Sequence, residues 1–275
     1  MKNRDQELQA VLTEMLAWFH RFCAAHHLRY YILGGTMLGA VRHGGFIPWD
    51  DDIDVGMPRA DYQRLEQLMK EYPHDIYLLE TPDSEKPDFF YAYTKLYDTR
   101  TILTENTRIP VRRGVFLDIF PLDGAGDTKE ESIAYYQPIK RRLNLLLSMT
   151  TGIRQGRKFY KNASVMLLRC IPRWLIDPKK LLWDIQRRCK EKSFDRYAWV
   201  SNFAGAYRER EIMPREVFGE PKEYNFENMI VYGVSDYETY LTTLYGNWRQ
   251  LPPVDKRKTH HDFLHLDLHK SYLEA

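Results

Sequence analysis

Residues 33–55 read LGGTMLGAVRHGGFIPWDDDIDV. The apolar run Tyr30-Tyr31-Ile32-Leu33 predicts a short strand ending at Gly34-Gly35, and Thr36 to Arg42 predicts a short helix broken at His43-Gly44-Gly45. Asp52 and Asp54 then alternate with Ile53 and Val55, which is the period of a strand. Residues two apart on a strand project to one face, so the two carboxylates point together and the apolar pair points into a core. Side-by-side carboxylates repel unless a cation lies between them. Hard oxygen ligands favour Mg²⁺ or Mn²⁺. A glycine pair at a strand-to-helix turn lets the backbone approach a phosphate, which the helix-start N–H groups favour, and Thr36 offers a hydroxyl beside them. A phosphate cradle next to half of a metal site points to phosphoryl or nucleotidyl transfer.

A third acid strengthens that reading. Val115-Phe116-Leu117-Asp118-Ile119-Phe120 is an apolar strand interrupted by one carboxylate, and a lone buried carboxylate must be paired, bound to metal or placed at a strand end. If this strand lies beside residues 52–55, Asp118 completes a triad able to hold two ions and clamp an in-line displacement. Asp50 and Asp51 read as loop-turning or supporting acids. Asp123, between Pro121-Leu122 and Gly124, reads as turn chemistry.

Around these motifs, residues 5–27 carry Leu8, Val11, Leu12, Met15, Leu16 and Phe19 at helical spacing. Pro58 suits the first turn of a helix through Tyr62, Leu65, Leu68 and Met69. Strands are predicted over 76–79, 89–97, 101–103 and 115–120, the last ended by Pro121. Residues 128–193 turn helical, with turns near Gly152, Pro172 and Pro178. Strand-like pieces follow near 197–203 and 224–232, then a helix near 235–245. The fold class is α+β: a mixed-sheet catalytic core with its N-terminal helix over 1–127, a helical basic insertion over 128–195, and a part over 196–275 that completes the donor and acceptor site. The chain has 275 residues, 44% hydrophobic and 28% charged with a net charge of +2, so no overall field calls for nucleic acid. Its three cysteines, Cys23, Cys170 and Cys189, form neither a zinc spacing nor a disulfide framework, which fits a reducing cytoplasm. The polar start MKNRDQELQ is not a secretory signal, and no apolar run approaches a membrane span.

Gly34-Gly35, then Asp52-Ile53-Asp54-Val55, then Asp118 among apolar residues, resembles the nucleotidyltransferase fold of the polymerase β superfamily. The longer string GGTMLGAVRHGGFIPWDDDIDV is similar to the LicD family, which transfers phosphocholine from CDP-choline to cell-surface glycans. Fukutin-type ribitol-phosphate transferases are distant relatives of that family. Residues 94–101 (TKLYDTRT), 114–123 (GVFLDIFPLD), Tyr245-Gly246-Asn247-Trp248 and Leu251-Pro252-Pro253 with Lys256, Arg257 and His260 resemble further family segments. The resemblance spans about 25–262 and is weakest over 128–195. It implies that Asp52, Asp54 and Asp118 bind Mg²⁺ or Mn²⁺, with Asp118 also accepting the acceptor hydroxyl's proton. It implies that Gly34, Gly35 and Thr36 hold the donor phosphates, that Arg42, Lys95 and Arg257 neutralise transition-state charge, and that His260 lies near the nucleotide. The donor would be a CDP-linked alcohol, most of all CDP-choline. The acceptor would be a hydroxyl of a glycan or lipid-linked glycan, such as a teichoic acid or lipopolysaccharide, and CMP would leave. A choline donor would want an aromatic cage, for which Trp49, Tyr91, Tyr93 and Tyr97 are the candidates. The rivals are an NTP-using nucleotidyltransferase that releases pyrophosphate, a glycosyltransferase with a DxD metal motif, and a catalytically silent glycan-binding relative.

Two features pull elsewhere. His261, His265 and His269 recur at i, i+4, but Leu264, Leu266 and Leu268 alternate with period two, which favours a polar tail over a zinc-binding helix. Residues 153–192 hold twelve Lys or Arg against three acids, interleaved with apolar residues. This reads as core helices with solvated basic faces. The functional alternative is an insertion resting on the anionic inner face of a membrane, where a lipid-linked acceptor would be found.

Overall fold

The computed structural model describes residues 2–152, 176–259 and 263–274. The helical stripe of the N-terminal segment becomes α1 (Lys2–Ala25), which buries Leu8, Leu12, Met15, Leu16, Phe19 and Cys23 against a central sheet. Full burial of side chains of this size stabilises by roughly 1.5–3 kcal/mol each.

The sheet is mixed. Its core strands are β1 (Tyr31–Ile32), β2 (Asp54–Pro58), β3 (Tyr77–Glu80), β4 (Thr94–Asp98) and β7 (Phe116–Gly126). The order is β1-β2-β7-β4-β3, with β2 parallel to β7 and the other neighbours antiparallel. Chain from beyond the first 127 residues extends both sides of it. The hairpin β10 (Lys222–Phe226) and β11 (Met229–Gly233) adds β11 in parallel to β1. Strand β8 (Trp199–Ser201) pairs with the far end of β7, and β9 (Ile212–Pro214) pairs with β8. A smaller antiparallel sheet joins β5 (Ile102–Glu105), β6 (Val111–Arg113) and β12 (Phe263–Asp267).

Helices cover the sheet: α2 (Gly34–His43), α3 (Arg59–Glu71), α4 (Lys129–Thr150), α5 (Pro178–Cys189), the single turn α6 (Arg215–Phe218) and α7 (Tyr237–Tyr245). Helices α4 and α5 form a second apolar cluster through Tyr136, Ile139, Leu143, Leu182, Ile185 and Cys189. The apolar face of α5 is therefore spent on α4. Arg187 and Arg188 in its last turn pair with Asp184, and Lys192 just beyond it pairs with Glu131. The other half of the basic segment, including Cys170, Pro172 and the cations from Arg154 to Arg173, lies outside the described residues. Among the described residues no helix is long and apolar enough to cross a membrane. Cys23 and Cys189 are free, buried thiols.

Several expected boundaries move. Helix α2 starts at Gly34, not Thr36, so both glycines lie in its first turn. Strand β2 starts at Asp54, and Pro58 closes it just before α3. Residues 89–93 are not strand; β4 begins at Thr94. Residues 224–232 are a hairpin rather than one strand. Pro121 does not end β7. Its pairing with β4 stops at Ile119 and that with β8 starts at Asp123, so the missing proline N–H falls in the gap between those partners. The expected polar tail is in part β12. That strand contains His265, which rules out a helical histidine face there, while His261 is outside the described residues.

Candidate functional site

Parallel register makes Asp54 the partner of Asp118, and Asp118 N–H donates to the Ile53 carbonyl at 3.0 Å. Register partners on adjacent strands share a face, so both carboxylates project together, while Ile53, Val55, Leu117 and Ile119 are fully buried. Asp52 precedes the strand. Asp50, Asp51 and Asp52 each present a carboxylate oxygen within 4.8 Å of the others. Among the described residues this is the trio that gathers, rather than Asp52, Asp54 and Asp118.

The electrostatics tie the acids together all the same. Burial, then Asp52 and Asp118, push the Asp54 carboxyl well above the carboxylate range. Burial raises Asp118 to about 6 against the pull of Lys95, with Glu105 and Asp52 adding to the rise. Such mutual repulsion among hard oxygen donors is relieved by a divalent cation. The donor set therefore fits Mg²⁺ or Mn²⁺, with Asp118 buried, Asp54 half-buried and Asp52 beside them.

The glycine turn serves these acids directly. Leu33 N–H donates to the Asp54 carbonyl at 2.9 Å, and Asp54 N–H donates to Thr36 Oγ1 at 2.9 Å. The Thr36 hydroxyl, expected at a phosphate, thus braces β2 from α2. Gly34 has φ +51°, and a Cβ there would lie 3.2 Å from Asp54 Oδ2. A Cβ at Gly35 would lie 2.7 Å from Asp50 Oδ2. Two carboxylates thus lie against the electropositive start of α2, where its partial charge favours them.

The expected cations fall in two places. Lys95 is the antiparallel register partner of Asp118 and is 1% exposed. Its Nζ lies 2.9 Å from Asp118 Oδ1 and 3.5 Å from Glu105 Oε1. Arg42 and Arg257 form a separate group. Arg42 Nη1 donates to the Trp248 carbonyl at 2.8 Å, and Arg257 Nε donates to the Pro252 carbonyl at 2.9 Å. Burial and the nearby Arg257 lower the Arg42 pKa, which Tyr245 opposes. His260 lies outside the described residues. Of the cage candidates, Tyr91 and Tyr93 face the Lys95 ammonium, Trp49 faces the Arg257 guanidinium, and Tyr97 is fully buried in the core. Asp123 is no turn residue. It is 1% exposed and clamped by Arg59 at 2.8 and 2.5 Å.

Several groups at the site carry no motif. The Tyr240 hydroxyl accepts the Gly34 N–H at 3.0 Å, and a Cβ at Gly34 would lie 3.9 Å from the Tyr245 hydroxyl. Glu211 is 6% exposed and burial raises it to about 8, opposed by the Tyr207 N–H that donates to it at 3.3 Å. When ionised it adds to the rise of Asp54. A trace of Tyr240 in the sequence is its helical spacing with Leu241 and Leu244, which places it on the buried stripe of α7 with Tyr245 at its edge.

Register-paired acids beside a glycine-lined helix start are an arrangement suited to group transfer. The family described as LicD/FKTN/FKRP, nucleotidyltransferase domain, matches residues 27–146, which contain every one of these acids except Glu211. Lipopolysaccharide cholinephosphotransferase LicD of Haemophilus influenzae is 31% identical over 259 residues, covering 93% of this chain and 95% of that protein. The chain belongs to the LicD family and is a transferase. Human ribitol 5-phosphate transferase FKRP is 51% identical over 41 residues, 15% of this chain and 8% of that protein. Mannosyltransferase regulator 4 of Saccharomyces cerevisiae is 27% identical over 146 residues, 51% of this chain and 12% of that protein.

Proposed function

We propose that this enzyme, built on a nucleotidyltransferase-type core, moves phosphocholine or a similar phospho-alcohol from a CDP-linked donor to a glycan hydroxyl, releasing CMP. The observation that carries the reading is the register pairing of Asp54 with Asp118, which sets a half-buried and a buried carboxylate on one face beside Asp52. Full-length similarity to a cholinephosphotransferase, and local similarity to a ribitol 5-phosphate transferase, support the phospho-alcohol class.

Asp52, Asp54 and Asp118 would hold Mg²⁺ or Mn²⁺, which when bound polarises the phosphate and offsets charge on the attacking and leaving oxygens. The glycine-lined start of α2, whose Gly34 N–H is already taken by Tyr240, would let the donor diphosphate approach the backbone closely. Arg42 and Arg257, two cations close enough to repel, are suited to an anion between them. Asp118, in register with Asp54 and raised to about 6, would take the acceptor's proton. Glu211, raised to about 8, stays neutral at pH 7.

A product assay tests this. CMP release from CDP-choline, CDP-ribitol or CDP-glycerol, with the phospho-alcohol appearing on a glycan, supports the reading. Pyrophosphate from an NTP would replace it with nucleotidyl transfer.

A further inference from the structure

One cation already sits where the proposed metal site needs Asp118. Lys95 Nζ is 2.9 Å from Asp118 Oδ1, and the rings of Phe116, Tyr91 and Tyr93 enclose it at 3.2, 4.5 and 5.6 Å from their centroids. An ammonium this buried stays charged only where anions and ring faces replace its water. A second carboxylate, Glu105, approaches from the smaller sheet at 3.5 Å. Glu105 Oε2 is buried and has no hydrogen-bond partner among the described residues. The lysine therefore has a second acceptor with capacity to spare.

A divalent ion between Asp54 and Asp118 would share Asp118 with this ammonium, and like charges at that range oppose each other strongly. The arrangement of the acids reflects the same contest. Asp118 Oδ1 is turned to Lys95, and the carboxylate oxygens that gather are those of Asp50, Asp51 and Asp52.

We infer that Lys95 is a resident counter-ion that occupies the cation position at Asp118 and passes to Glu105 when a divalent ion binds. This rests on the proposed metal site. It recasts Lys95 as a positioning residue that holds Asp118 in register rather than a contact to the donor phosphates. It also leaves the Tyr91, Tyr93 and Phe116 rings filled by the protein's own ammonium, so a quaternary-ammonium donor would be recognised elsewhere.

Mn²⁺ titration of the full chain, followed by the EPR signal of free Mn²⁺, tests the exchange. Lys95→Met should tighten Mn²⁺ binding by about tenfold or more, because a like charge is removed. Glu105→Gln should weaken it several-fold, because the ammonium loses its second acceptor. In a double-mutant cycle Glu105→Gln should have no further effect once Lys95 is Met. A purely structural lysine would lower the melting temperature of the variants and leave Mn²⁺ affinity unchanged. Unchanged or weaker binding in Lys95→Met overturns the inference and leaves the metal site standing. Mn²⁺ binding in neither wild type nor Lys95→Met overturns the metal site and this inference with it. If Lys95→Met does not fold, Glu105→Gln decides alone, and unchanged affinity there overturns the inference.

Discussion

At the scale of single residues, the site is a set of carboxylates close enough to raise one another's pKa. Asp52→Ala, Asp54→Ala and Asp118→Ala should each abolish turnover while far-ultraviolet circular dichroism stays that of the wild type. A fully active Asp118→Ala would remove β7 from the site. Glu211 makes a separate, pH-dependent claim. Its folded-state pKa of about 8 lies above its ordinary value of 4.5, so the folded state binds the proton more tightly than the unfolded chain. Stability is then lost as pH climbs from the ordinary value through about 8, and levels off above that. Glu211→Gln should gain little at pH 5 and most at pH 8 and above, read as the difference in melting temperature from wild type. Each kcal/mol recovered corresponds to about 2–4 °C in a chain of this size. An equal difference at both pH values would contradict the assignment.

At the scale of elements, the join from β1 through α2 to β2 does most of the positioning. Gly34 adopts φ +51°, a conformation that costs an L-residue about 1–2 kcal/mol, and its missing Cβ leaves room for Asp54 Oδ2. Gly34→Ala should lower stability by about that amount. It should also reduce turnover more than a stability loss of that size explains, because the carboxylate must move; denaturant unfolding and the product assay on one sample separate the two. Strand β7 is the other organising element. Its first half carries Asp118 between β2 and β4, and its second half carries Asp123 and Ala125 toward β8 and the helical pair. The helix-start motif was legible in the sequence because glycine conformation acts within a few residues, whereas the carboxylate alternation was only half right, since β2 begins at Asp54 and leaves Asp52 ahead of the strand. The continuation of β7 past Pro121 was not legible, because it depends on which strands stop and start beside it.

At the scale of the whole molecule, the sheet and the helical pair are tied by one buried polar link. Arg59, at the start of α3, clamps Asp123 in β7 and reaches Gln186 in α5 at 3.3 Å, and Gln186 donates to the Ala92 carbonyl at 2.9 Å. Removing one partner of a buried pair leaves a bare charge and costs about 3–5 kcal/mol. Arg59→Met should therefore destabilise the protein by about that amount. It should also speed hydrogen exchange in residues 178–189 more than in β2. Loss of protection spread evenly over the chain would show that the link holds nothing particular together.

By itself the sequence determined the local chemistry of this protein: a glycine helix start, a run of acids leading into a strand, and a third acid set alone in an apolar strand. Those features follow from backbone conformation and side-chain period, which neighbouring residues set. Tertiary structure alone decided who meets whom. It placed Asp118 in register with Asp54 and Lys95, turned Asp123 into a partner for Arg59, closed Tyr240 onto Gly34 from some two hundred positions away, and left Glu211 buried near enough for its ionised form to act on Asp54. The physical reason is that strand pairing and burial are set by surfaces distant in the chain, and the field on each carboxylate is the sum over whatever those surfaces bring close.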